Sequence, residues 1–343
     1  MALFQLTDKG LYVPLGDFYI DPWRPVDRAV ITHGHSDHAR WGSKSYLSTD
    51  VGKDILRLRL GPDANIQGIA YGERIRMGDI DLSLHPAGHI LGSCQVRIER
   101  AGQVNVISGD YKVFPDRTCA PFEVIKCHAF VTESTFGLPI YRFRQDDDIA
   151  RDINAWWQDN RDHHRLSLLY GYALGKAQRL LSMLDTSIGP IYAHGAVEAI
   201  NQVYRAQNIP LPDTRPLSDT PDKASLAKDG AIVLAPPNSI NSNWIKGMQA
   251  KSQAFASGWM AVRGQKRRRA LDCGFVVSDH ADFPSLIATI DAVEAEQVFV
   301  THGSSDILVQ FLQEKGLDAV ALSTMFGDNH EQEQDFSTSE QIS

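Results

Sequence analysis

Short apolar runs rich in β-branched residues recur along the chain, and several of them end on polar residues. Examples are residues 104–110 (VNVISGD), 129–133 (AFVTE), 274–280 (GFVVSDH) and 297–302 (QVFVTH). A short continuous apolar run of this kind is typical of a strand that is buried on both faces. Each run therefore predicts a buried strand that delivers a polar side chain at its C-terminal end.

Helical patterns lie between these runs, for example at residues 176–184 (KAQRLLSML) and 284–293 (PSLIATIDAV). Strands that alternate with helices predict an α/β architecture. A chain of 343 residues is long enough for about two domains. Its composition, 43% hydrophobic and 22% charged, excludes a disordered chain.

Residues 146–270 differ in character from the rest. The segment contains an acidic helix start, a pair of tryptophans, a proline-rich connection and a closing basic run. We expect it to form a second domain, inserted between a first part (residues 1–145) and a second part (residues 271–325) of the first domain. Residues 326–343 are polar, acidic and without periodicity, which predicts a disordered tail.

The strongest chemical signal is the hexapeptide His33-Gly-His35-Ser-Asp37-His38, which follows the apolar run 29–32. Imidazole and carboxylate side chains suit zinc, and a site without thiolates can leave a coordination position for water. A polar loop that collects histidines by chance is the alternative. With only 12 histidines in the chain, that alternative is improbable, so the loop predicts a metal site.

Further ligands are expected at other strand ends. The candidates are His89 (PAGHILG), Asp110 (SGD) and His302 (THG), each with a neighbouring glycine that permits a tight turn. Each of them, taken alone, is more often a structural residue. Together with the loop they supply five histidines and two aspartates, enough for a dinuclear centre.

These motifs in this order resemble the metallo-β-lactamase superfamily. The resemblance implies a four-layer αββα sandwich with two zinc ions at one edge, Mn²⁺ being an alternative occupant. It assigns His33, His35 and His89 to one ion and Asp37, His38 and His302 to the other, with Asp110 between them. It also implies that Asp21, which ends the run 18–21 (FYID), orients the metal loop.

Three later motifs resemble the β-CASP nucleases of that superfamily: residues 132–137 (TESTFG), 278–282 (SDHAD) and 300–303 (VTHG). Phe136 and Ser304 differ from the residues usual at these motif positions, but neither difference removes a proposed ligand. The inserted segment occupies the place of the α/β β-CASP domain. Glu133 and His280 could form a structural pair. Near two cations they favour a catalytic role, in which His280 binds the scissile phosphate or protonates the leaving oxygen, while Asp37 and Asp110 hold a metal-bridging hydroxide.

Phosphate contacts are expected from basic residues of the inserted segment. Lys176 lies in a stretch (YALGKAQ, 172–178) that resembles an element of DNA-processing β-CASP enzymes and opens a helix. A second group is the basic run formed by Arg263, Lys266, Arg267, Arg268 and Arg269. A solvated helix face and a solvated loop are the respective alternatives.

The chain is most similar to bacterial ligase-associated DNA exonucleases, which are related to the crosslink-repair and Artemis nucleases. This implies a zinc-dependent hydrolase of ester bonds that degrades DNA from the 5′ end in repair, with a DNA ligase and a helicase as functional partners. An RNA-processing β-CASP ribonuclease is the alternative. A lactonase or thioesterase would need neither the insertion nor the Glu133–His280 pair, and a non-catalytic binding subunit would be expected to have lost ligands.

Charge and cysteine content set the remaining expectations. The net charge of −8 argues against a broadly basic surface, yet residues 326–343 contain five acidic and no basic residues, and two dications would outweigh the remaining deficit. Four scattered cysteines (Cys94, Cys119, Cys127 and Cys273) indicate a reducing compartment. The absence of a signal peptide or membrane-spanning run predicts a cytoplasmic protein without membrane contact. The oligomeric state is left open.

Overall fold

The computed structural model of the chain describes residues 2–219, 223–242, 245, 248, 250–262 and 271–324. These residues form two compact units. The first unit combines residues 2–142 with residues 280–324, and the second comprises residues 143–279. The second unit is therefore continuous in sequence and interrupts the first.

The described strands and helices follow one another in three groups along the chain. The first group, in the first unit, is β1 (Gln5–Thr7), β2 (Gly10–Val13), β3 (Phe18–Ile20), β4 (Arg28–Val30), β5 (Ser45–Thr49), α1 (Lys53–Leu60), β6 (Ile66–Ile69), β7 (Arg74–Met77), β8 (Ile80–Pro86), β9 (Cys94–Arg100), β10 (Gln103–Ile107) and β11 (Ala129–Glu133). The second group, in the second unit, is α2 (Asp146–Asp162), β12 (Leu166–Tyr170), α3 (Lys176–Met183), β13 (Ile191–Ala193), α4 (Gly195–Ala206), β14 (Arg215–Pro216), α5 (Lys223–Lys228), β15 (Ile232–Ala235), β16 (Lys251–Ala256) and β17 (Cys273–Phe275). The third group returns to the first unit with α6 (Phe283–Ala292), β18 (Gln297–Thr301), α7 (Ser305–Glu314) and β19 (Asp318–Ala321).

The first unit contains two sheets. One has the strand order β1-β2-β3-β4-β5-β6, antiparallel from β1 to β3 and parallel from β3 to β6. The other has the order β19-β18-β11-β10-β9-β8-β7, parallel from β19 to β10 and antiparallel from there to β7. The metal-binding motifs follow β4, β8, β10 and β18, so both sheets contribute to the site.

Alternating side chains build four layers in the first unit. Val30 and Val131 join a core shared by both sheets, whereas their chain neighbours Ala29 and Phe130 point away from it. The outer face of the first sheet packs against α1 through Leu56. The outer face of the second sheet packs against α6 and α7 through their buried side chains Ile290, Leu308 and Leu312. The result is the expected αββα sandwich.

The second unit is built on one parallel sheet with the order β14-β13-β15-β12-β16-β17. All residues of β12 and β15 are buried, as expected for central strands covered on both faces. Trp157 of α2 is fully buried and its indole N–H donates to the carbonyl of Gly230 at 2.9 Å. The unit is α/β, like the first.

The structure differs from the sequence expectation at the second domain boundary. The unit ends at residue 279 rather than 270, because β17 pairs with β16 in the sheet of the second unit. The predicted strand 274–280 is also shorter, since only Cys273–Phe275 pair as a strand. The predicted tail, residues 326–343, lies outside the described residues.

Candidate metal centre

The metal loop leaves β4 and immediately turns back on itself. The backbone N–H groups of His38 and Ala39 both donate to the carbonyl of His35, at 3.2 and 2.8 Å. This turn brings the side chains of residues 33, 35, 37 and 38 to one end of the sandwich. His33 and His38 are buried, whereas the Asp37 side chain is 37% exposed.

Three histidines and one aspartate form a first ligand group. The ligand atoms of His33, His35, His89 and Asp110 all lie within 4.8 Å of one another. His35 Nδ1 is 3.1 Å from His33 Nε2 and 3.0 Å from His89 Nε2. His89 enters from the loop after β8, so this group joins the two sheets.

A second ligand group consists of Asp37, His38 and His302, again with all ligand atoms within 4.8 Å. His38 Nε2 lies 3.6 Å from a carboxylate oxygen of Asp37. The rings of His38 and His302 are stacked, with centroids 5.2 Å apart. His302 follows β18, so its position depends on the part of the first unit that follows the insertion.

Asp110 lies between the two groups. Its Oδ2 is 3.4 Å from both His33 Nε2 and His38 Nε2, and its Oδ1 is 3.9 Å from His302 Nε2. The residue is 4% exposed, and Oδ1 accepts no hydrogen bond from the described residues. A buried carboxylate oxygen without a donor is costly unless a cation satisfies it.

Threonine and aspartate side chains set the tautomers of the ligand rings. Asp21 accepts hydrogen bonds from Thr32 Oγ1 (2.5 Å), from the Thr32 backbone N–H (2.8 Å) and from His38 Nδ1 (2.7 Å). Because the Thr32 hydroxyl proton is used on Asp21, its oxygen accepts from His33 Nδ1 at 3.1 Å. The Nε2 lone pairs of both histidines are thereby directed to the centre.

His302 is held in the same way by the preceding residue. Thr301 Oγ1 donates to the Thr132 carbonyl and lies 2.7 Å from His302 Nδ1. Residues 31–34 (ITHG) and 300–303 (VTHG) thus repeat one device, in which a threonine at a strand end fixes the ring of the next histidine. Sequence reasoning missed both threonines, although the repeated Thr-His-Gly was the available signal.

Two residues of the centre have left-handed backbone conformations. Asp21 has φ +44° and His302 has φ +58°. Non-glycine residues rarely adopt such angles, and they concentrate at functional sites. Next to Asp110, Gly109 has φ +57°, and a Cβ there would lie 2.7 Å from the Thr32 side chain. Close packing around Thr32 therefore requires glycine at this position.

Burial and mutual charge shift the ionisation of the ligands. Burial lowers the pKa of His33 well below its usual range, and the neighbouring His38 adds to this. Burial also disfavours the charged form of His38, but the carboxylates of Asp110, Asp37 and Asp21 raise its pKa well above the usual range. Burial opposes ionisation of Asp110, yet His38 and His302 hold its pKa well below normal.

The donor set fits divalent metal ions. His35 Nδ1 lies 3.0–3.1 Å from the Nε2 atoms of His33 and His89, so these imidazole nitrogens are close enough to bind one cation together. All ligand atoms are imidazole nitrogens and carboxylate oxygens, which suit Zn²⁺ and Mn²⁺. The protein thus provides a divalent metal site from its own residues.

Glu133 and His280 form a buried pair beside this centre. His280 Nδ1 donates to the Glu133 carboxylate at 2.9 Å, and Glu133 Oε1 also accepts from the Tyr111 backbone N–H at 2.7 Å. Ligand atoms of Asp110, Glu133 and His280 lie within 4.8 Å of one another. The ring of His280 is 4.6 Å from that of His89, centroid to centroid. The pair therefore adjoins the first ligand group directly.

The structure corrects the expectation for Lys176. Its side chain is buried in the second unit, where Nζ lies 2.9 Å from Asp279 Oδ2 and donates to the Val277 carbonyl at 3.1 Å. Arg179 pairs with the same Asp279 at 3.1 Å and also with Asp146. The ammonium thus neutralises a buried carboxylate and is not presented to a phosphate. The other predicted phosphate contacts, Arg263, Lys266, Arg267, Arg268 and Arg269, lie outside the described residues.

Comparisons with known proteins identify relatives of the chain, although no family model matches it. It is 30% identical over 315 residues to a protein named "Probable DNA ligase" from Opitutus terrae, covering 91% of this chain and 30% of that protein. It is also 30% identical over 169 residues to "Endoribonuclease ysh1" from Schizosaccharomyces pombe, covering 46% of this chain and 22% of that one. The chain belongs to the β-CASP branch of the metallo-β-lactamase superfamily.

Solved structures support the fold of this β-CASP protein. A protein of unknown function from Enterococcus faecalis V583 superposes with a TM-score of 0.57 at 13% identity, over 80% of this chain and 74% of that one. The chain spans less than a third of the length of the two curated relatives above. None of the helices in the described part of the protein is long and apolar enough to cross a membrane.

Proposed function

We propose that this β-CASP protein is a two-zinc phosphodiesterase that degrades DNA from the 5′ end. One observation carries the proposal: two ligand groups share the buried Asp110, and the Glu133–His280 pair adjoins them. Two adjacent cation positions beside a proton-donating histidine suit displacement at phosphorus. A hydrolase of small lactones or thioesters does not require the additional pair.

The two ligand groups would each hold one zinc ion. His33, His35, His89 and Asp110 would hold one zinc ion, and Asp37, His38 and His302 the other, with Asp110 reaching both. Bound zinc ions would activate water near neutral pH and offset the charge of the phosphate. The protein's own contribution is to fix the ligand rings through Asp21 and the two threonines, so that little reorganisation accompanies substrate binding.

His280 is suited to the leaving group or to a phosphoryl oxygen. Its Nδ1 proton is committed to Glu133, so a second proton on Nε2 would be the one available for donation. This role needs a proton on Nε2 at the moment of transfer, while Nδ1 stays bonded to Glu133. Glu133 is 1% exposed and is itself held by the Tyr111 N–H, so the pair keeps one orientation.

The names of the relatives support DNA as substrate and RNA as the second candidate. The similarity to the probable DNA ligase extends over 91% of this chain, whereas that to the endoribonuclease extends over 46%. A region similar to nearly all of this chain makes up 30% of the named ligase. The presence of such a region in a polypeptide named as a DNA ligase supports a functional link between this protein and a DNA ligase in strand repair. Association with a helicase and a cytoplasmic location stay predictions.

Digestion of labelled polymers tests the proposal. Zinc-loaded protein should release label from 5′-labelled DNA first, more slowly from 3′-labelled DNA, and least from RNA. Asp37→Ala should abolish cleavage, and because Asp37 is partly exposed the variant should remain folded. Asp63→Ala, at an exposed loop position outside the ligand groups, is the matched control.

The same assay distinguishes the alternatives. Preferential cleavage of RNA would replace DNA by RNA as the substrate class. If neither polymer is cut while a lactone or a thioester is turned over, the phosphodiesterase proposal is wrong.

A further inference from the structure

The indole of Trp41 is the most open large apolar side chain of the described residues, at 79% exposure. It lies three residues after His38, in the loop that leaves the metal site. Trp23 and Trp156, in contrast, are hydrogen-bonded through their indole N–H groups, Trp23 to the Asp8 carbonyl at 2.7 Å and Trp156 to Ser252 Oγ at 3.0 Å. The exposure of Trp41 next to the candidate metal centre therefore needs a reason.

The loop that carries this indole is fixed at both sides of it. Tyr46 Oη donates to the Arg40 carbonyl at 3.0 Å and accepts from the Ser43 N–H at 2.8 Å. Ser43 Oγ in turn accepts from the Val26 N–H at 3.2 Å. Trp41 is thus presented by an anchored turn, so little ordering entropy would be lost when a ligand packs on it.

A positive charge accompanies the indole. Arg40 donates from Nε to the Asp37 carbonyl at 3.5 Å, and no carboxylate of the described residues forms an ion pair with it. Nearby basic residues differ: Lys44 pairs with Asp27 at 2.8 Å and Arg24 with Asp8 at 3.0 Å. An aromatic face next to an uncompensated guanidinium is the combination used to bind single-stranded nucleic acid.

Trp41 is also close to the metal loop along the chain. Three residues separate it from His38, so the two Cα atoms are at most ~11 Å apart, about three steps of a strand with the 3.4 Å rise of stacked nucleotides. A partner protein would require a contiguous apolar patch. The residues next to Trp41 in sequence, Arg40 and 42–44 (GSK), do not extend the indole into an apolar run.

We propose that Trp41 is a stacking platform for a nucleobase of a single-stranded substrate, close to the cleaved end. This inference rests on the phosphodiesterase function proposed above. Stacking on an indole is tolerant of base identity, so the contact would favour single-stranded over duplex ends without selecting a sequence. Arg40 would support it by pairing with an adjacent phosphate.

The test compares two substrates of zinc-loaded protein. Trp41→Ala should lower kcat/KM for a single-stranded oligonucleotide by roughly 10-fold or more, within the range measured for base–aromatic stacking. It should leave hydrolysis of a wholly abasic oligonucleotide of the same length unchanged, because that substrate has no base to stack on the indole. Trp41→Phe should retain most of the activity, and Leu15→Ala, at another exposed apolar position of the first unit, is the control.

Abasic substitution locates the contact. Moving one abasic site along the oligonucleotide should reduce wild-type kcat/KM at one position near the cleaved end, and Trp41→Ala should be insensitive at that position. Equal activity of wild type and Trp41→Ala on every oligonucleotide would overturn the inference while the phosphodiesterase function stands. A wild type that cleaves neither substrate would overturn both.

Discussion

Replacing Asp21 by Asn should weaken metal binding, chiefly at the group formed by Asp37, His38 and His302. The Asp21 carboxylate accepts three hydrogen bonds, two from Thr32 and one from His38 Nδ1, at 2.5–2.8 Å. An amide offers one acceptor oxygen and one donor group, so at least one of these donors would face another donor.

The expected magnitude follows from the position of Asp21 outside the ligand set. Loss of a residue that orients a metal-bound histidine typically costs 10- to 100-fold in metal affinity, or roughly 1.4–2.7 kcal/mol. The first ligand group is connected to Asp21 only through Thr32 among the contacts given above, so its loss should be smaller. Asparagine tolerates the left-handed conformation at φ +44°, which separates this effect from backbone strain.

Competition with a chromophoric zinc chelator measures both affinities. Asp17→Asn is a matched control, because Asp17 also has a left-handed backbone (φ +51°) but binds Tyr12 and Arg28 at the surface. We expect the affinity for one of the two zinc equivalents to fall in Asp21→Asn and both affinities to stay at the wild-type values in Asp17→Asn. Wild-type affinity for both equivalents in that variant would refute the orienting role.

Three further outcomes are expected. Glu133→Gln should lower kcat by roughly 100-fold with unchanged metal content by mass spectrometry; lost metal would instead indicate a ligand. Lys176→Met should lower the unfolding free energy in urea by ~3 kcal/mol, since it breaks a buried pair with Asp279, and Lys228→Met should not. Lys176→Met should change the cleavage rates of 5′-phosphorylated and 5′-hydroxyl DNA ends by the same factor. A larger effect on 5′-phosphorylated ends would support a phosphate-binding role for Lys176. Burial lowers the pKa of His194, whose neutral ring caps α4. The stability that this neutral cap contributes is complete above pH ~6.5, the usual pKa of histidine, and is lost as the pH falls toward the lowered pKa. His194→Asn keeps a cap that does not titrate, so its unfolding free energy in urea should fall less from pH 7 to 5 than that of the wild type. Equal falls in the two proteins would contradict this.

The features that could be predicted from sequence are local ones. The metal loop, the strands at 104–107 and 129–133, and the helix that begins at Lys176 each depend on neighbouring residues, and the structure contains all of them. Local pattern also indicated which strand ends carry His89, Asp110 and His302. Convergence of these ends to within a few ångströms follows from two sheets packing face to face.

The features that sequence reasoning missed depend on distant partners. Lys176 looked available for phosphate because its partner, Asp279, lies 103 residues further along the chain. The domain boundary was misplaced because the three residues of β17 are assigned by pairing with β16 and not by their own pattern. Trp41 was passed over because exposure, which makes it notable, is not visible in one sequence.

The central claim is that two metal positions share Asp110 and together support phosphodiester hydrolysis. The direct measurement is a zinc titration of metal-stripped protein, with bound zinc counted by mass spectrometry and hydrolysis of a 5′-labelled DNA strand recorded at each addition. We expect two bound equivalents of zinc per chain, with cleavage appearing as the second position fills. Full activity at one equivalent, or no zinc retained, would contradict it.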